Sequence, residues 1–302
     1  MLADQDNLRA AIDWAAAAGE VRLALELMVA LENFWVTTSP AEAARRFERL
    51  VPPEREPDPL FGRALRVWGT VEGGAGDMER AYALLEEGKT MFEALGDDFG
   101  RALILPRIIT SRVFEEGDLD RAEALTREAL EVFRARDFRK AAIPQVGLLG
   151  EIACLRGDFD HGLELILESV TAAADIGFRW WCGVALADAA EYAFQAGRLD
   201  DAERWGRESA SVLFAIGSRT TVWVLAHLAR LAARRGERER AGLLWGAVEA
   251  EEARAPVPGW EVDRRRFEDA LVAVAGDAFE HARVAGGSLS LDEAVRAAVG
   301  DA

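Results

Sequence analysis

Among 302 residues there are two cysteines, two tyrosines, three histidines and nine prolines, and four of those prolines fall in one short stretch. Two cysteines, Cys154 and Cys182, are too few for a disulfide framework. With the acidic start Met1-Leu2-Ala3-Asp4-Gln5-Asp6 in place of a signal peptide, this points to a reducing cytoplasm. Basic residues are scarce: 36 Lys and Arg stand against 53 Asp and Glu, a net charge of −17. That balance argues against direct nucleic-acid binding, which needs clustered cations, and against anionic membrane surfaces. No apolar run approaches the roughly 18 residues of a membrane span. The histidines, His161, His227 and His281, have no second His or Cys at metal-ligand spacing, so neither a metal nor a cofactor is expected.

What the chain has instead is a clock of glycines. Gly76, Gly117, Gly157, Gly197, Gly236 and Gly276 stand 41, 40, 40, 39 and 40 residues apart. A fixed period of this length means a stack of like supersecondary units. Halfway between successive marks lie Gly96, Asp137, Gly177 and Gly217, so each unit has two halves. Gly and Asp tolerate the left-handed conformation that ends a helix, and Asp118, Asp158 and Asp277 directly follow a marked Gly, placed to cap the next helix.

The apolar spacing within each half is helical. Ala122, Leu125, Ala129, Leu130 and Phe133 form one stripe, and Ala202, Trp205, Ala210 and Leu213 another. Seven residues before each Gly runs a column of mostly small residues, Gly69, Thr110, Gly150, Ala190 and Ala229, where two helices of a hairpin can approach closely. The sequence therefore predicts an all-α, right-handed superhelical solenoid of helix hairpins, about 40 residues per unit.

The ends depart from the period. Residues 1–51 read as an N-terminal subdomain of three helices, broken at Gly19-Glu20 and near Ser39-Pro40. Residues 52–59, with their four prolines, read as a stiff linker. Residues 60–256 hold five regular units, which Pro256 and Pro258 bring to an end. Residues 257–302 read as a degenerate helical cap, in which Glu268 and Asp269 take the bulky and small slots.

A bulky-small pair in the first helix and an Ala early in the second resemble tetratricopeptide repeats. The longer unit is similar to the C-terminal solenoid of the large ATP-dependent bacterial transcriptional regulators of the MalT, AfsR and LuxR-like kind. Residues 6–14, Asp-Asn-Leu-Arg-Ala-Ala-Ile-Asp-Trp, resemble the opening of that solenoid, and Phe34-Trp35 and residues 45–50 the helices that follow. Residues 241–249 and 286–294 resemble its end. The ATPase and DNA-binding modules of those regulators are missing, so the chain reads as an isolated solenoid of a larger regulator or as a free-standing relative. The single Gly-Lys-Thr, Gly88-Lys89-Thr90, has Ala83 where a phosphate loop needs its first Gly, and it sits mid-helix.

No nucleophile with a paired base and no acid-base cluster is evident, so the chain is read as non-enzymatic. Cys154 and Cys182 read as buried, inert thiols, and the column Glu87, Glu128, Glu168 and Glu208 as a solvated outer face. The resemblance to tetratricopeptide stacks implies that first helices line a concave groove. Positions at minus six, minus three, plus one and plus four from the small column divide between core and groove. The candidates are Arg66, Arg107, Ser111, Glu151, Glu191, Trp223 and Arg230. Pro106 and Pro144 should kink or delay their helices there. The implied partners are a protein or peptide segment or a small, inducer-like ligand, acidic or amphipathic, together with an ATPase module of the same or a neighbouring chain. The function that follows is the sensor or interaction region of a bacterial signalling or transcriptional regulator, with a free-standing tetratricopeptide scaffold or co-chaperone as the alternative.

Overall fold

Backbone conformation at the repeating glycines decides where each helix stops. The computed structural model describes residues 5–255, 257 and 260–300, leaving aside the side chains of Thr37, Ser111 and 260–263; Pro256 and Pro258 fall outside the described residues. Gly76, Gly117, Gly157, Gly197 and Gly236 have φ between 70° and 99°, and the half-period Asp137 has φ 51°. At Gly157 a Cβ would meet no atom within 4 Å, so the demand there is conformational, not spatial. Asp77, Asp118 and Asp158 then cap the next helices, accepting from the N–H of Arg80, Arg121 and His161 at 3.0, 3.0 and 3.3 Å. Asp277 does not: it already lies in the first turn of its helix, and Gly276 holds the cap position.

The chain falls into two compact units, one ending at Phe138 and one beginning at Arg139. The first contains α1 (Gln5–Ala17), α2 (Val21–Ala30), α3 (Glu32–Thr38), α4 (Pro40–Leu50), α5 (Pro59–Ala75), α6 (Met78–Leu95), α7 (Asp98–Ile108), α8 (Phe114–Glu116) and α9 (Leu119–Ala135). Residues 5–50 thus form four helices, not three, because Leu31 leaves helical geometry between α2 and α3. Ile12, Leu25, Trp35 and Phe47 from these helices share one apolar cluster with Leu60, Leu65 and Trp68 of α5 and Met91 of α6. The Gly88-Lys89-Thr90 run is helical, as expected, and Gly88 packs on Leu65 and Ile104.

The 41-residue interval has a physical counterpart. Between α7 and α8 the helix widens into a π-turn over Ile109–Val113, three residues beyond Pro106. A π-turn takes up one extra residue, and a proline that removes an N–H weakens the preceding ladder. The insertion rotates the column: Thr110 is exposed and Ile109 is fully buried, while Gly69, Gly150, Ala190 and Ala229 are buried. A Cβ on Gly150 would lie 2.6 Å from the Gly162 carbonyl oxygen, which is the close hairpin approach that the small column implies. Pro144 is accommodated within a single unbroken helix.

The second unit stacks three hairpins: α10 (Arg139–Leu155) with α11 (Phe159–Asp175), α12 (Arg179–Gln195) with α13 (Leu199–Ala215), and α14 (Thr220–Arg234) with α15 (Arg238–Arg254). Then α16 (Trp260–Leu271) lies against α14, α17 (Asp277–Gly286) against α15, and α18 (Leu291–Val299) against α13, α14 and α15. Glycines make the α15–α17 crossing nearly backbone on backbone. A Cβ on Gly246 would fall 1.9 Å from the Arg283 carbonyl oxygen, and one on Gly286 2.0 Å from that of Leu243. The described residues hold no strand, and no helix among them is long and apolar enough to cross a membrane. Within each unit successive hairpins pack on one another, and the fold is a solenoid of helical hairpins.

Candidate ligand site on the first helices of the second unit

Helices α12 and α14 are covered on most sides, and small residues let them approach: Ala185, Ala189, Ala190 and Ala193 on one, Ala226, Ala229 and Ala232 on the other are all at most 1 % exposed. A polar side chain enclosed there must find a partner. Glu191 and Arg230, 8 % and 5 % exposed, do so by forming an ion pair with each other. Glu191 also accepts from His227 Nδ1 at 3.2 Å and from Gln195 Nε2 at 2.9 Å, and Arg266 Nη1 stands 3.6 Å away. The Arg230 guanidinium lies 4.1 Å from the Phe194 ring centroid and 5.1 Å from that of Phe267. Burial raises the Glu191 pKa, but the His227 hydrogen bond and the Arg230 charge outweigh it and hold the carboxyl well below the usual range. Burial, reinforced by Arg230, lowers the pKa of His227, so its ring stays neutral, with Glu191 opposing. Two of the candidates expected to line an open groove therefore belong to a buried network. At Glu191 and Arg230 the plus-one side chain meets the neighbouring first helix, not solvent.

The minus-six and minus-three positions behave differently. A cavity of about 180 Å³ is lined by Val184, Ala187 and Asp188 of α12, Thr220 and Trp223 of α14, and Val257. Trp223 has its indole stacked on the His227 ring, 6.4 Å between centroids and 10° between planes, and edge-on to Phe267 at 5.4 Å. Asp188 is the single carboxylate among these walls. It lies four residues after Val184, on the same helical face, at a position that the column analysis did not consider. Burial, with the nearby Glu191 charge, pushes its pKa up to about 7. Glu151 of α10, another candidate, is half-buried, and burial together with Asp188 raises its pKa well above the carboxylate range. Neither Glu151 nor Asp188 has an ion pair or side-chain hydrogen bond among the described residues. Tyr192, one turn beyond Asp188, feels both carboxylates; burial and these charges push its pKa upward.

Three candidates lie in the first unit. Arg66 of α5 grips Glu32 of α3 with both Nη atoms, at 2.7 and 2.6 Å, so its charge is already matched. Arg107 of α7 is exposed and makes no side-chain hydrogen bond or ion pair among the described residues. The Ser111 side chain lies outside the described residues; its backbone is within the π-turn.

Of the remaining chemistry, Cys154 and Cys182 are buried free thiols, and burial pushes Cys154 up to about 12, away from thiolate reactivity. Among the described residues no three His, Cys, Asp or Glu side chains are grouped to hold a metal. Glu87, Glu168 and Glu208 are exposed, and Glu128 is half-buried against Arg101.

No family model and no curated protein sequence matches the chain. A solved structure does. The chain is similar to a signal transduction ATPase with numerous domains that carries a tetratricopeptide repeat sensor, from Pyrococcus horikoshii, with a TM-score of 0.52 and 14 % identity. The likeness covers 93 % of this chain but 41 % of that protein, so the chain spans less than half of its length. At this identity the likeness shows the fold, a tetratricopeptide-like helical solenoid.

Proposed function

We propose that this chain is a non-enzymatic binding solenoid, the sensor or interaction region of a bacterial signalling or transcriptional regulator whose ATPase lies elsewhere, in the same polypeptide or a neighbouring one. The observation that carries the reading is the cavity between α12 and α14. It places an indole, a carboxylate and apolar walls together on first helices. The neighbour named for a tetratricopeptide repeat sensor supports the same direction. The division into residues 1–51, 52–59, 60–256 and 257–302 belongs to this proposal, with the ligand on the repeats. So does the cytoplasmic location.

A thermal-shift screen of the purified chain against metabolites and peptides tests it. The expected result is a ligand whose stabilising effect is lost in Trp223→Ala and kept in Glu168→Ala, with no ATP hydrolysis and no duplex-DNA binding at physiological salt. A stabilising ligand indifferent to Trp223, or turnover of ATP, would count against the reading.

A further inference from the structure

The acidic side chains enclosed in this protein are nearly all matched by arginine. Glu203 meets Arg207, Arg235 and Arg240. Glu251 meets Arg219 and Arg254, Glu32 meets Arg66, and Glu191 meets Arg230. Asp188 and Glu151 break this pattern. Both are half-buried, on the adjacent helices α12 and α10, and neither has an arginine or lysine partner among the described residues; the charge that acts on Glu151 is that of Asp188, and the charge that acts on Asp188 is that of Glu191. A second observation is geometric. Asp188 lines a cavity of about 180 Å³ whose other walls, Val184, Ala187, Thr220, Trp223 and Val257, carry no cation. An unmatched acid in a cavity with an indole wall describes a site suited to a positively charged donor.

We infer that the cavity between α12 and α14 binds an organic cation, an alkylammonium or guanidinium group, with its charge on Asp188 and its alkyl stem against Trp223, Val184 and Ala187. This deepens the binding reading above and rests on it. Aromatic faces and carboxylates together favour such cations over metal ions, which would want more oxygen ligands than the site offers. Asp188 is the direct partner, since it lines the cavity. Glu151, on the adjacent helix α10, adds negative potential. The apolar walls suit a methylene stem better than a bare inorganic ion. The net charge of −17 draws cations toward the protein generally. The assignment reverses the acidic ligand implied by the arginines in the sequence, because Arg66 and Arg230 are already spent on Glu32 and Glu191.

The same chemistry could arrive as a lysine or arginine side chain of a peptide or as a free amine, and calorimetric titration separates the sources. The probes are a heptapeptide with one central lysine, the same peptide with that lysine acetylated, agmatine, n-butylammonium and calcium chloride. Binding is expected for the lysine peptide or for a free amine. Acetylation should weaken the peptide about tenfold or more, and Asp188→Asn should weaken every cationic probe by a similar factor. Glu151→Gln should weaken them less, and Glu208→Gln on the outer face should leave them unchanged. Peptide binding without amine binding assigns a protein partner; amine binding as tight as peptide binding assigns a small molecule. Equal affinity for the acetylated peptide, indifference to both Asp188→Asn and Glu151→Gln, calcium in place of the amines, or no binding of any cationic probe at millimolar concentration would each overturn the inference. A neutral or anionic ligand that depends on Trp223 but not on Asp188 would overturn it while leaving the binding reading intact.

Discussion

Glu191 of α12 and Arg230 of α14 are 39 positions apart in sequence and form a buried ion pair. Their separation is one repeat, and similar spans recur in the second unit: Arg198 reaches Asp160, 38 positions away, and Arg240 reaches Glu203, 37 positions away. Side chains on corresponding helices of successive hairpins thus tie neighbouring repeats of this unit together. Exposed pairs of this kind contribute little, but the enclosed one is consequential, because removing one partner strands the other in a desolvated site.

Glu191→Ala should therefore destabilise the second unit by about 3–5 kcal/mol, and Glu191→Gln by less, since an amide still accepts from His227. Urea denaturation followed by helical circular dichroism reads this. The pH dependence has a definite sign. A carboxyl whose folded pKa is depressed contributes stability above its ordinary pKa and loses it as pH falls through the acid range. The difference between parent and Glu191→Gln should thus shrink on acidification from pH about 6 to about 3. A difference that stays constant would mean that the ion pair carries none of it.

Asp188 should behave in the opposite way. Its pKa is raised to about 7 by burial and by Glu191, with Glu151 and Tyr192 adjoining. Between the ordinary value of about 3.9 and that figure the folded state holds more protons than the unfolded state, so stability falls as pH rises. Asp188→Asn removes the late-ionising group. Its melting temperature should exceed that of the parent at pH 8 and converge on it near pH 4. A variant less stable than the parent at pH 8 would show that the carboxylate has a partner in solution.

Two glycines separate two reasons for having no side chain. Gly157 has φ 88° and empty space around it, so Gly157→Val should cost about 1 kcal/mol or more and Gly157→Asn clearly less, because Asn tolerates the left-handed region. Gly150 has helical geometry but no room, so Gly150→Ala should cost about 1–3 kcal/mol by forcing α10 and α11 apart. Denaturation midpoints of the three variants check both statements. Equal costs for Val and Asn at position 157 would remove the conformational argument.

The repeat was legible because its marks are backbone requirements: a residue that must adopt positive φ announces itself as Gly or Asp at a fixed interval. Even the irregular 41-residue step had a counterpart, in the π-turn at Ile109–Val113. The phase of the first helices was legible in part. Val184 and Trp223, at minus six, and Ala187, at minus three, do line a cavity. Two plus-one residues, Glu191 and Arg230, do not line an open groove, because their side chains reach each other between neighbouring first helices. Asp188 could not be singled out at all. Among 53 acidic residues, which ones lack a cation is decided by side-chain geometry across repeats. Leu31 escaped notice for a related reason, since a break without Gly or Pro leaves no compositional trace.

The most direct test of the central claim is hydrogen-deuterium exchange on the chain with and without its ligand, once the thermal-shift screen has supplied one. If the first helices of the second unit hold the site, protection should rise in peptides covering residues 184–192 of α12 and 220–230 of α14, and stay unchanged across the second helices α11 and α13. Protection confined to α11 and α13, with α12 and α14 unaltered, would contradict the account.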